Sequence, residues 1–162
     1  MALWTYSEQQ NIKPIDANQP EKVFDELSEE VQSVELRYLL GDEFYNDLIN
    51  SPSDYADLLD GTTYEVDDVT YTVKGLKYVL AYYFYAAYVG QSGVVDTFSG
   101  MVHHNYNDSQ RISNAQLKNM QTHYRQVAQS YWKECYDLMC ENSEDYEYFY
   151  ASRKNKVKYR TL

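Results

Sequence analysis

The passage HHNYND, residues 103–108, gathers the side chains with the greatest chemical potential in this chain. Imidazole can ligate a metal or move a proton near neutral pH, and a carboxylate such as Asp108 could complete a ligand set. The spacing argues against both. Adjacent His103 and His104 point in different directions on any regular backbone, and the third histidine, His123, falls in a separate helical segment. A polar loop that meets a partner is the better reading. Cys135 and Cys140 are five apart in a helical segment, about 140° apart around the axis. That is neither a CxxC redox pair nor a zinc pattern, so free thiols in a reducing compartment are expected. No HExxH, GxSxG, GxxxxGK[ST] or Rossmann glycine pattern occurs. Asp67-Asp68 sits in a turn signal, and the acids between Asp25 and Glu35 form a solvated face, not a cleft of shifted carboxylates. Catalysis, a cofactor and a metal are therefore not expected, and a small hydrolase with an unrecognised site is the weakest reading.

What remains is the chemistry of binding. The chain carries nineteen tyrosines against five phenylalanines and two tryptophans. Tyrosine offers a broad apolar face with a hydroxyl, which suits half-buried surfaces and interfaces, although a genome rich in Tyr codons would give the same count. The net charge is −11, but unevenly spread. The stretch RKNKVKYRTL holds Arg153, Lys154, Lys156, Lys158 and Arg160 without an acid, which leaves nine basic residues facing all twenty-five acids over the remainder, about −16. Such a body repels phosphate, so nucleic acid could be held only through the tail. Two readings of the tail follow: an arm that docks on an acidic protein surface, or a small nucleic-acid-binding module.

These residues need a scaffold, and the patterning predicts a mainly helical one. Residues 1–150 read as a single helical domain and residues 151–162 as a basic C-terminal tail. From Asn18 as cap and Pro20 in the first turn, Val23, Phe24, Leu27, Val31, Val34 and Tyr38 recur at helical spacing as one inward stripe. Gly41 breaks that helix, DEFYNDLIN starts another, and SDYADLLDG adds turns closed by Gly61. TTYEVDDVTYTV then alternates with a period of two around Asp67-Asp68, a short β-hairpin. GLKYVLAYYFYAAYVG follows. Its unbroken apolar run, Tyr78 to Val89, is twelve residues. Crossing a bilayer takes about 20, so this is a central core helix and not a membrane span. Residues 91–112 show no sustained period and read as an extended loop. Ser113 caps a long helix with Leu117, Met120, Tyr124, Val127, Ala128, Tyr131, Cys135, Leu138 and Met139 near one face. MALWTYSEQQ has no basic n-region, and no secretory signal is expected.

This order of pieces resembles the head–tail connector (neck adaptor) proteins of tailed bacteriophages, in the version carried by phages of Bacteroidetes hosts, including the crAss-like group. The resemblance spans about residues 15–142 and rests on LGDEFY, on GLK opening an aromatic helix, and on a TxxGxV loop at Thr97, Gly100 and Val102. It implies a helical subunit of a homo-oligomeric ring, typically of twelve, beneath the portal protein. Such a ring joins the portal to other neck or tail proteins around a channel through which DNA passes, in the virion neck after assembly in host cytoplasm. On that footing Phe98, Met101, Val102, His103, His104 and Tyr106 are expected at subunit or portal contacts, and Arg153, Lys154, Lys156, Lys158 and Arg160 in a docking arm. No membrane partner is expected.

Overall fold

The computed structural model describes residues 2–16, 21–91, 94–97, 100–103, 113–146 and 148–149, with residue 21 and the stretches at 94–97 and 100–103 as backbone only. The expected helical bundle with a small β-hairpin is what the chain forms. The basic tail and the proposed cap at Asn18 and Pro20 lie outside the described residues.

A short helix α1 (Tyr6–Ile12) opens the fold. Thr5 and Glu8 make a reciprocal capping box, in which the Glu8 carboxylate accepts from the Thr5 N–H at 2.7 Å and the Thr5 hydroxyl accepts from the Glu8 N–H at 3.3 Å. α2 (Glu21–Val31) continues without a break through a π-helical turn, Gln32–Leu36, into α3 (Arg37–Leu40). The wide turn changes the phase of the helix. Burial runs at i,i+4 from Leu27 to Val31, steps five residues to Leu36, and returns to i,i+4 at Leu40. The expected stripe is therefore wrong past Val31: Val34 is 59% and Tyr38 74% exposed. Gln32, 4% exposed, takes an inward place and accepts the Leu3 N–H at 2.7 Å. A long-range hydrogen bond thus supports a turn that helical periodicity alone does not foresee.

Gly41, at φ 86°, ends α3 and starts α4 (Asp42–Asn50). A 3-10 turn at Pro52–Tyr55 leads into α5 (Ala56–Asp60), closed by Gly61. Strands β1 (Thr62–Val66) and β2 (Val69–Val73) pair antiparallel, with Val66 opposite Val69 and Tyr64 opposite Tyr71. Asp67 and Asp68 both take positive φ, 50° and 63°, which fits a type I′ turn whose twist matches the strands. Tyr64 and Tyr71 stack at 5.4 Å, and Val73 is buried at the hairpin base.

α6 (Leu76–Gln91) is the spine. No residue from Gly75 to Gly90 is exposed; Leu76, Leu80 and Phe84 are wholly buried, while Tyr78, Tyr82, Tyr85 and Tyr88 are half-buried. Burying each such aliphatic or Phe side chain is worth about 1.5–3 kcal/mol. α6 packs on α1, α2 and α5, and most extensively on α7 (Asn114–Glu141). Ser113 caps α7, as the sequence predicts, and does so through a full capping box with Gln116. Among the described residues, no helix is long and apolar enough to cross a membrane.

Candidate interaction surface

The loop expected at 91–112 contains structure. Strands β3 (Val94–Thr97) and β4 (Gly100–His103) form a second antiparallel pair, with Val95 opposite Val102 and Asp96 opposite Met101. Four-residue strands are too short to show a period, and the linking residues lack the Asn-Gly or Asp-Gly signature, so pattern reading misses the pairing. Met101, Val102 and His103 are consecutive on β4. Phe98, His104 and Tyr106 lie outside the described residues, as do Arg153, Lys154, Lys156, Lys158 and Arg160.

The ribbon follows the C-terminal end of α6, and α7 reaches past that same end. Gln121 of α7 donates to the Ala86 carbonyl at 3.4 Å and occupies the space that a Gly90 side chain would need. Residues Asn114 to Met120 therefore overhang the spine, and α7 has no buried residue before Ala128. Below this overhang the two helices are joined by tyrosines. Tyr85 meets Tyr124 edge-on at 4.6 Å, and Tyr131 contacts both Tyr78 and Tyr82 at about 5.5 Å. The Lys13 ammonium lies over the rings of Tyr85 and Tyr124, at 4.6 and 4.8 Å. Much of the tyrosine surplus thus serves the interior of one chain.

The N-terminal segment is the part that sequence reading missed, although the Thr5–Glu8 box was a readable signal. Trp4 is buried and its indole N–H donates to Gln9 Oε1 at 3.1 Å. Gln9, fully buried, donates through Nε2 to the carbonyls of Lys13 and Ala81 at 2.8 and 3.3 Å. Lys77, at the start of α6, binds Glu8 at 2.7 Å and Asp60 at 2.5 Å. Partial burial works against the Lys77 charge, but its hydrogen bonds to Asp60 and Glu8 outweigh this and raise its pKa. Glu8 shows the mirror effect: burial pushes it up, and the bonds from Lys77 and Thr5 bring it below the usual carboxylate range. Among the described residues, no buried side-chain nitrogen or oxygen lacks a partner.

Neither Cys135 nor Cys140 is in a disulfide. Cys135 is buried against the Gly75 backbone, and burial, then the neighbouring Glu134 charge, pushes it up to about 12. A protonated, enclosed thiol is a packing residue and not a nucleophile. No group of three or more His, Cys, Asp or Glu is gathered as a metal-holding set among the described residues. Two open grooves mark the outside. One, of about 390 Å³, has Asp54, Asp57 and Asp145 around Tyr55 and Tyr146. The other, of about 300 Å³, lies where the π turn has put Val34 and Tyr38 outward, beside Arg37, Gly41 and Asp42.

The model of the family of unknown function DUF6712 matches residues 36–159. The chain belongs to that family. The DUF6712 match begins at the end of the π turn, takes in the spine, both hairpins and α7, and continues to Tyr159 in the basic segment. No curated protein and no solved structure matches the chain.

Proposed function

We propose that this protein is a structural virion component of the head–tail connector type. Copies assemble as a ring, of twelve in the resembled family, that joins the portal to the tail and lines the DNA exit channel. The observation that carries this reading is the enclosure of α6, in which no residue from Leu76 to Gly90 is exposed within a single chain. Each copy is then a self-sufficient helical block, and its β3–β4 ribbon and the overhang of α7 are its edges toward other protein. A ring built head to tail uses two different edges per copy and closes by rotation. An acidic body suits a channel wall, since DNA gains nothing from counterion release there and slides past. The role is binding and needs no cofactor. Phe98, Met101, Val102, His103, His104 and Tyr106 supply subunit or portal contacts, and Arg153, Lys154, Lys156, Lys158 and Arg160 serve as a docking arm.

Native mass measurement of the full chain, alone and mixed with the portal protein from the same genome, tests the proposal. A closed assembly of about twelve copies, alone or on the portal, is the expected result. A monomer in both samples, with no portal complex at concentrations of about 10 μM, would overturn it. Retention on DNA that disappears when the basic segment is neutralised, without any assembly, would instead favour a nucleic-acid-binding module.

A further inference from the structure

We propose that the basic segment 151–162 docks on the outer face of α2 and α3 of its own chain, cations along the α2 carboxylates and apolar residues against Val34 and Tyr38. The inference rests on the docking-arm reading of this segment but is independent of any ring.

The receiving face has two parts. Asp25, Glu26, Glu29 and Glu30 are exposed along α2, and one turn further the π turn places Val34 and Tyr38 outward beside the groove at Gly41. Residues 21–43 hold eight acids and two bases. Both bases are engaged locally, Arg37 with Asp42 at 2.6 Å and Lys22 with Glu26 at 3.5 Å, so the face keeps a strong negative excess. The segment has the matching composition. Lys156, Val157, Lys158, Tyr159 and Arg160 alternate cation with apolar residue, which in extended form gives one charged and one apolar edge.

The path of the chain favours docking within one copy. Phe149, where the described chain ends, sits 6.0 Å from Phe44 and 5.7 Å from Tyr136. Phe44 is three residues from Gly41, at the rim of the groove. The remaining residues can reach about 45 Å, whereas the helix from Gly41 back to Asp25 covers only about 24 Å. A short tether of this kind sets an effective concentration in the millimolar range, ahead of a second copy at micromolar levels. The family match runs through Tyr159, so most of the segment belongs to the matched unit.

The test is a photocrosslink in the full-length protein, with benzoylphenylalanine replacing Tyr159, read by mass spectrometry on a mixture of isotope-labelled and unlabelled copies. Crosslinks to the stretch around Val34 and Tyr38, within one copy, are expected. Their yield should fall about fivefold on raising salt to about 0.5 M, and by a similar factor in the combined Glu26→Lys, Glu29→Lys and Glu30→Lys variant. Those side chains are exposed, and the single Tyr38→Ser change gives a second, milder reduction should the charge reversal disturb folding. Crosslinks that go mainly elsewhere, that join differently labelled copies, or that ignore both salt and substitution would overturn the proposal. The mass measurement of assembly is a separate readout, so failure of the ring and failure of this contact are distinguishable.

Discussion

Gly61 and Gly75 close the base of the β1–β2 hairpin by direct backbone approach: a side-chain carbon on Gly75 would lie 2.5 Å from the Gly61 nitrogen. Both hold positive φ, 96° and 87°, and each also faces neighbouring carbonyls, Val73 for Gly61 and Leu59 for Gly75. Glycine is required at both positions for two reasons, conformation and space.

Gly75→Ala is therefore expected to destabilise the protein by about 3 kcal/mol or more, as left-handed strain of about 1–2 kcal/mol adds to a clash with backbone that cannot swing aside. Gly90→Ala is the contrast. Its obstacle is the end of the Gln121 side chain, which can rotate away with the loss of one long hydrogen bond, so a cost of about 1 kcal/mol is expected. Urea denaturation of both variants checks the difference, and equal costs would contradict this account of the hairpin base.

The phase change at the π turn predicts opposite outcomes for residues two apart. Leu36→Ala should cost about 2–5 kcal/mol, because the side chain is wholly buried and its loss leaves a cavity. Tyr38→Ser should stay within about 0.5 kcal/mol. An uninterrupted α-helix carrying Val34 and Tyr38 inward would reverse the order, so denaturation midpoints of the two variants decide the register.

The Lys77 junction predicts a pH window. Lys77 has a raised folded pKa, so its contribution is complete below the unfolded value and is lost as pH rises through the folded one. Glu8 has a lowered folded pKa, so its contribution is present above the unfolded value and is lost as pH falls through the folded one. The stability gap between the native chain and Lys77→Met should be widest between about pH 5 and 10 and shrink on both sides. At its widest it should reach only about 1 kcal/mol, given the solvent exposure of the acidic partners. A gap independent of pH would show that Lys77 acts through its aliphatic stem alone.

Much of this arrangement is readable from residue order. The breaks at Gly41 and Gly61, the Asp67-Asp68 turn, the cap at Ser113 and the enclosed aromatic helix all depend on near neighbours, whose preferences are local. What escapes depends on distant partners. Nothing within α2 announces that Gln32 will meet the Leu3 N–H, yet that contact accompanies the widened turn that exposes Val34 and Tyr38. α1 is seven residues, too short for a periodic stripe, and it gains its place from Gln9 reaching Ala81. The candidate contact residues are read least well, since Met101, Val102 and His103 prove to lie on a strand whose paired residues are nine or fewer positions away but are linked by no turn signature.

The bond from Gln9 to Ala81 spans 72 residues of sequence. A ribosome emits the chain from the other end of that interval first, so Trp4 and its helix emerge with no docking site yet made. At ordinary elongation speeds of about 5–20 residues per second, several seconds pass before the acceptor carbonyl leaves the exit tunnel. During that wait an oily indole is unshielded in every nascent copy, and on a polysome neighbouring nascent chains share the same vulnerability.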